Sequence, residues 1–147
     1  MGKSVMMLAL GAALLVPSAV AADAAGPKRA AEAIPPPPPG MGQVVFYRKP
    51  RMGTLIGCRI NEGFDIVNRL PPGKYFVHPT TPGLHEFEIR SDLLRVEVKA
   101  GETQFVRCTI VVAGVADLSL RNREDFDRYV RALDLQPPWT GERDEDD

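Results

Sequence analysis

The sequence predicts an all-β protein: an antiparallel β-sandwich of about seven strands, followed by a short C-terminal amphipathic helix. Short runs of aromatic and β-branched residues alternate with Gly, Pro, Asn and Asp, as in strands joined by turns. Within several runs, apolar and polar residues alternate, which is typical of a sheet with one solvated face. After Gly114 the apolar residues recur at helical spacing instead. Together these patterns favour an immunoglobulin-like or transthyretin-like sandwich.

The first 21 residues are typical of a secretory signal peptide. Lys3 supplies a positive charge, residues 5–16 are apolar and uncharged, and Ala19 to Ala21 form a small-x-small cleavage pattern. The apolar run is shorter than the ~20 residues of a membrane span. We therefore expect cleavage after Ala21, no transmembrane segment afterwards, and a location in the periplasm or outside the cell. An uncleaved anchor is the alternative.

Residues 22–42 are expected to form a disordered linker rich in Ala and Pro. Its most regular part is the unbroken proline run Pro35 to Pro39, closed by Gly40. Five consecutive prolines favour an extended, left-handed spacer that holds the domain away from a neighbouring surface. The alternative is that the run is a ligand for a proline-recognising domain.

Seven runs predict the strands of one domain, placed at residues 43–135. They are Gln43–Arg48, Gly53–Ile60, Phe64–Leu70, Lys74–Val77, Leu84–Arg90, Leu93–Lys99 and Thr103–Val112. Gly73 and Gly83 each follow a proline, and these two Pro-Gly pairs predict tight reversals before and after the fourth run.

A short helix is predicted to follow the strands. Asn122 can cap it, with Asp125 three residues later. Its apolar stripe consists of Phe126, Tyr129, Val130 and Leu133. A helix this short is marginal alone, so we expect it to pack on the sandwich or across one open end; docking on a partner protein is the alternative. Residues 136–147 are expected to form a disordered acidic tail, which carries the single tryptophan, Trp139.

Cys58 and Cys108 are the only cysteines, and an exported protein meets an oxidising compartment. Cys58 shares its strand face with Ile56 and Ile60, and Cys108 has the same relation to Val106 and Ile110. Both sulfurs should therefore point into the core, which predicts a structural disulfide. Two buried free thiols are the alternative, whereas redox catalysis is disfavoured because no Cys-x-x-Cys motif occurs.

His78 and His85 are the only histidines. Alternation places His78 beside Phe76 on a solvated face, with Tyr75 and Val77 turned inward, and places His85 at the rim of the core. The rings would then not converge, which disfavours a metal site completed by neighbouring acids. We expect no metal and no other cofactor.

Other chemistries find little support in the sequence. No Gly-x-Ser-x-Gly elbow, phosphate-binding glycine loop or evident acid–base pair occurs. Without Lys3 the chain carries 18 − 1 = 17 basic and 19 acidic residues, which gives nucleic acid no broad basic face. We therefore expect a protein that is not an enzyme and does not bind nucleic acid.

Candidate partner-binding residues are the aromatics Phe76, Phe105 and Trp139. The first two fall out of phase with the apolar faces of their strands, and Trp139 lies beyond the strands. Exposed aromatics of this kind could bind a glycan or a peptide.

Five motifs in this order resemble the bacterial envelope proteins of domain-of-unknown-function family 2846. The motifs are PPPPGMGQVVF, MGTLIGCRI, LPPGKYFVH, PGLHEFEI and AGETQFVRCTI, within residues 36–112. LPPGKYFVH is also similar to carboxypeptidase-regulatory-like, PEGA-type and surface-layer β-sandwich modules. The resemblance implies an envelope location, a β-sandwich and cysteines at the two positions found here, but no activity. Many members resemble lipoproteins, whereas this chain lacks a lipobox cysteine.

These observations together predict a secreted or periplasmic envelope protein. It would act as a non-enzymatic binding or accessory module on a proline-rich tether, with an envelope protein or a cell-wall component as its partner. A glycan- or peptide-binding module is the first alternative, and a small metal-dependent enzyme around His85 and His78 is the second. Neither the oligomeric state nor the partner follows from the sequence.

Overall fold

The computed structural model describes residues 34–50, 56–110 and 115–141. In chain order the strands are β1 (Gly42–Tyr47), β2 (Cys58–Glu62), β3 (Asp65–Leu70), β4 (Lys74–Thr80), β5 (Gly83–Ile89), β6 (Asp92–Val98), β7 (Thr103–Ile110), β8 (Ala116–Arg121) and β9 (Asp134–Leu135). A short helix, α1 (Arg123–Asp127), and a single 3₁₀ turn (Val130–Ala132) lie between β8 and β9. The predicted all-β sandwich with a short C-terminal helix is confirmed.

The strands form two sheets. One has the order β8-β7-β1-β4-β9 and the other the order β3-β2-β5-β6. Most neighbours are antiparallel, as predicted, but β1 pairs with β7 and β4 with β9 in parallel. The predicted runs do not include β8 and β9. Parts of the second and seventh predicted runs, residues 53–55 and 111–112, lie outside the described residues.

The central strand of the five-stranded sheet, β1, is buried on both faces, because the sheet separates two apolar cores. Between the sheets, the Phe46 ring stacks on Phe76 at 5.0 Å between centroids and meets Phe87 edge-on at 4.9 Å. On the opposite face, the sheet packs against the C-terminal helical segment through a second core, formed by Ile34, Val45, Tyr47, Tyr75, Phe105, Phe126, Val130 and Leu133. Every residue of β1 is therefore buried.

The two Pro-Gly pairs are turns that carry the chain from one sheet to the other. Gly73 has a φ of 75° and lies between β3 of the four-stranded sheet and β4 of the five-stranded sheet. Gly83 has a φ of 143° and begins β5, after the chain has returned. Both φ values are ones that glycine adopts without steric cost. Strand β4 thus enters and leaves its sheet through glycine-containing turns.

The disulfide joins the two sheets. Cys58 on β2 and Cys108 on β7 are bonded across the core, with 6.6 Å between their Cα atoms. Both side chains are buried, as predicted from strand alternation. Ile56, expected on the same face as Cys58, precedes the strand and is 52% exposed.

The C-terminal segment packs on the domain, which was one of the predicted arrangements. Asn122 caps α1 by accepting from the backbone N–H of Asp125, as predicted. Phe126, Val130 and Leu133 are buried against the outer face of the five-stranded sheet. Over the three described stretches, the structure contains no helix with the length and apolar character needed to cross a membrane.

Candidate functional site

A cleft of about 460 Å³ lies along one side of the sandwich. There β3, an edge strand of the four-stranded sheet, faces β4 and β9 of the other sheet. Most of its walls are apolar, including Phe76 and Val77 of β4, Leu135 of β9, and Trp139 beyond β9. Three prolines also line it, namely Pro35, Pro79 and Pro138. The cleft is therefore rich in aromatic and proline surfaces, which suit an apolar side chain.

The cleft is open because β9 covers only the beginning of β4. The short β9 pairs with Lys74 and Tyr75, and the next N–H, that of Gln136, donates to the Tyr75 carbonyl at 2.7 Å. From Phe76 to Thr80, β4 has no strand on this side among the described residues. Because backbone groups of alternate strand residues point to the same side, Val77 directs its N–H and C=O toward the cleft edge.

The tail that follows β9 is fastened to β3 by a buried asparagine. The Asn68 amide donates to the Pro137 carbonyl at 3.0 Å, and its oxygen accepts from the Arg69 N–H at 2.7 Å. The Arg69 guanidinium carbon lies 5.3 Å from the centre of the Trp139 ring, a cation–π contact. These contacts position Trp139 in the cleft wall, and the disorder predicted for residues 136–147 stays a prediction.

Pro35 reaches the cleft because the end of the proline-rich segment is also held. The Gln43 side chain is buried, and its amide donates to the Pro35 carbonyl at 2.8 Å and to the Thr103 hydroxyl at 3.0 Å. Ile34, the residue before Pro35, is buried in the second core. The segment therefore contributes to the wall in addition to linking the domain to what precedes it.

Both histidines contact one carboxylate, and one of them, His78, also lines this cleft. The His85 Nδ1 lies 2.6 Å from Oε1 of Glu62, and the His78 Nε2 lies 3.3 Å from its Oε2. The other ring nitrogen of His85 lies 2.7 Å from the Thr81 carbonyl. The expectation that His78 is solvated and that the rings do not converge is wrong. The Gly83 turn crosses between sheets, so the inner faces of β4 and β5 oppose each other.

The two histidines differ in protonation. Both nitrogens of His85 face oxygen acceptors, so both bonds form only when the ring carries two protons. Burial alone would lower the pKa of His85, but the hydrogen bonds to Glu62 and Thr81 and the Glu62 charge outweigh it and raise that pKa. For His78 burial is the largest cause and lowers the pKa, although Glu62 acts in the opposite direction. The arrangement therefore favours a charged His85, a neutral His78 and one shared carboxylate.

The predicted partner-binding aromatics have three different environments. Trp139 lies half-exposed in the cleft wall. Phe76 is 3% exposed and Phe105 is 5% exposed, so the prediction that they lie on the surface is wrong. The alternation of apolar and polar residues separated the two faces of their sheet. It could not show that both faces are covered, one by the other sheet and one by the helical segment. Phe105 packs on Phe126, with ring centres 5.4 Å apart, and takes no part in the cleft.

A second polar cluster fastens α1 to the sheet. The Tyr47 hydroxyl donates to the Asp125 carboxylate, and the Arg107 guanidinium donates to the same oxygen at 3.0 Å. Burial and the Asp125 charge raise the pKa of Tyr47, so its hydroxyl stays protonated. Because every member is paired within the cluster, its evident role is to position the helix.

In the described ranges, no set of three or more His, Cys, Asp or Glu side chains is arranged to hold a metal ion. His78 and His85 each hydrogen-bond to the Glu62 carboxylate instead. This cluster therefore joins side chains from three strands through the single carboxylate of Glu62. The sequence contained one signal for it, the placement of both histidines beside the Pro82-Gly83 turn.

No family model and no curated protein sequence matches this chain. Among solved structures, it is similar to the N-terminal domain of AlgF from P. aeruginosa. The identity is 15%, the TM-score is 0.39, and the match covers 58% of this chain and 98% of that one. A similarity at this level carries no argument about function, and the resemblance to family 2846 stays a prediction.

Proposed function

We propose that this protein is a non-enzymatic binding module of the bacterial cell envelope, exported to the periplasm or beyond. Its ligand is an extended peptide segment of a partner protein, which adds to the open edge of β4 and inserts an apolar side chain beside Trp139. The observation that carries this proposal is the Trp139 cleft at a strand edge that β9 leaves uncovered after Tyr75.

The strand edge accounts for the extended main chain of the ligand. β9 already pairs with β4 in parallel, and Pro137 and Pro138 follow it closely in the chain. Proline has no N–H to donate, so the chain's own ladder does not continue along Val77. A peptide laid in the same groove would continue that ladder, with main-chain bonds giving affinity and side-chain pockets giving selectivity.

The cleft walls account for the apolar side chain. Trp139 and Phe76 offer aromatic surfaces, and the surrounding prolines are already restricted in conformation, so little entropy is lost on binding. The cleft volume of about 460 Å³ lies within the usual range for ligand sites, roughly 300–1,000 Å³. The predicted export signal and the disulfide support the envelope location.

The single tryptophan provides a direct test. A displayed library of random linear peptides is selected on the purified protein, and enriched peptides are titrated while Trp139 emission is recorded. Trp139→Ala has no tryptophan emission, so its binding is measured by titration calorimetry beside wild type; it should be weaker by about tenfold or more, as expected for an aromatic anchor. Leu84→Ala is the matched control, since Leu84 is 65% exposed on the four-stranded sheet and does not line the cleft.

Main-chain pairing is tested from the ligand side. In a bound strand, every second N–H group of the peptide faces β4. N-methylation of those residues should abolish binding, whereas N-methylation of the residues between them should leave binding intact. Equal binding to wild type and Trp139→Ala would refute the site. Binding of cell-wall glycan fragments at Trp139, with no peptide enriched, would refute the peptide assignment.

A further inference from the structure

We propose that the cluster of Glu62, His78 and His85 makes this cleft acid-sensitive, so that the peptide binds while His78 is neutral and is released when His78 takes up a proton. This inference rests on the proposed function, because it concerns the regulation of the same cleft. The structural basis is that His78 belongs to both sites: it lines the cleft and hydrogen-bonds to Glu62.

His78 is the one titratable side chain among the described residues that line the cleft. The other polar side chains there are Asn68, Gln136 and the Trp139 indole, and they do not ionise near neutral pH. On mild acidification, the charge of the cleft wall therefore changes only through protonation of His78. The His78 side chain is 27% exposed, so water only partly screens its charge.

The charged groups that act on His78 come from two strands. Glu62 at the end of β2 attracts its proton, and His85 of β5 opposes a second positive charge. From β1, Val44 lies opposite in the strand register. From the facing sheet, the ring of Phe87 on β5 meets the His78 ring edge-on, with 6.0 Å between ring centres. These two neighbours are apolar, so they give no further compensation to a charged His78.

One carboxylate cannot neutralise two imidazolium rings. The charge of Glu62 is already matched by His85, which both Glu62 and the Thr81 carbonyl hold in its doubly protonated form. A proton on His78 places a second positive charge beside that pair and in an apolar wall. A bound apolar side chain would remove more water from His78, which disfavours the charged ring further. Protonation of His78 and peptide binding therefore oppose each other through linkage.

The test follows the affinity of a selected peptide across pH. Trp139 emission reports binding between about pH 5 and pH 8, the range in which histidines titrate. Affinity should fall by about tenfold on acidification, because the pKa of His78 is lower in the complex than in the free protein. In His78→Gln, the ratio of the affinities at pH 8 and pH 5 should fall to about one, because the titrating ring is gone. An unchanged affinity across the range, or a pH dependence kept in His78→Gln, overturns the inference.

A second readout needs no ligand. The ring protons of the two histidines are followed by NMR and assigned with His78→Gln, while Trp139 emission is recorded on the free protein. His78 should titrate below its ordinary range, and the emission should change with the same midpoint. If the library yields no enriched peptide, the proposed function fails. The coupling between the protonation of His78 and the environment of Trp139 is then tested by the NMR and emission data alone. Two outcomes refute the coupling between His78 and the cleft. One is a Trp139 emission that does not change with the His78 titration, and the other is a pH-dependent change in emission that persists in His78→Gln.

Discussion

Cys58 and Cys108 link strands of different sheets and close a loop with a sequence separation of 50 residues. The replacement Cys58→Ala with Cys108→Ala should lower the free energy of unfolding by about 4 kcal/mol, because the unfolded chain gains the freedom that the bond removes. Denaturant unfolding of the oxidised wild type and the double variant measures the difference. Reduced wild type is the control and should unfold like the variant. Two alkylatable thiols in the exported protein would contradict the bond.

Strand alternation predicted the orientation of some residues and misplaced others. It correctly turned Cys58 and Cys108 inward, because each strand has one face toward the core between the sheets. It failed for Phe105 and His78, since the five-stranded sheet is covered on both faces and parity cannot tell which face meets the other sheet. Arg48 shows a further limit. Its charged side chain is buried and donates to the Ile56 carbonyl at 2.5 Å, a contact that no local pattern reveals.

At the scale of the element, α1 contributes to stability through one aromatic ring. Phe126 is fully buried and contacts the rings of Tyr47, Tyr75 and Phe105. Phe126→Ala should therefore cost about 3–5 kcal/mol of unfolding free energy, through lost burial and the cavity left behind. Phe64→Ala is the control, because Phe64 is fully exposed and should change stability by less than about 0.5 kcal/mol. Equal effects would show that the helix does not pack on the sheet.

The Asn68 amide is the side-chain hydrogen bond that links the tail beyond β9 to β3. Asn68→Ala removes the hydrogen bond to the Pro137 carbonyl, so Trp139 should become more exposed and its emission should shift to longer wavelength. Asn122→Ala removes another asparagine contact, the α1 cap, and should cost about 1 kcal/mol without moving the emission. An unchanged Trp139 emission in Asn68→Ala would mean that other contacts hold the tail.

The elements that the sequence predicted are those with a local signal. The apolar stripe at Phe126, Val130 and Leu133 and the Asn122 cap identified the C-terminal helical segment, and its buried face matches the stripe. By contrast, β9 is two residues long and exists because Lys74 and Tyr75 supply its partners. The cleft begins where the pairing between β4 and β9 stops. Because that point depends on two strands far apart in the chain, the sequence of neither strand alone predicts it.

At the scale of the whole molecule, the sheet changes at the Pro-Gly turns determine how distant parts meet. The sequence predicted turns at Gly73 and Gly83, but a turn within a sheet and a turn between sheets share the same residue pattern. Only the second kind brings His78 and His85 onto opposing inner faces, where Glu62 lies between them. Likewise, the parallel pairing of β1 with β7 joins strands far apart in the chain.

The stability of the whole molecule should depend on pH through these histidines in opposite directions. The raised pKa of His85 gives stability that is full below about pH 6.5, the unfolded value, and is lost as pH rises through the folded pKa. The lowered pKa of His78 gives stability that is full above about pH 6.5 and is lost as pH falls through its folded pKa. The free energy of unfolding should therefore be greatest near pH 6.5 and decrease on both sides.

Glu62→Gln tests this dependence, because its amide keeps the shape of the carboxylate and removes the charge that raises the pKa of His85. The decrease above pH 6.5 should disappear, and the variant should be about 1 kcal/mol less stable than wild type near pH 6. Glu97→Gln is the control, since Glu97 is exposed on β6 opposite Leu84 and should keep the wild-type profile. Denaturant unfolding at closely spaced pH values gives the curves. A wild-type profile without a decrease above pH 6.5 would show that Glu62 does not hold a proton on His85, so that its charge would be free to stabilise a protonated His78.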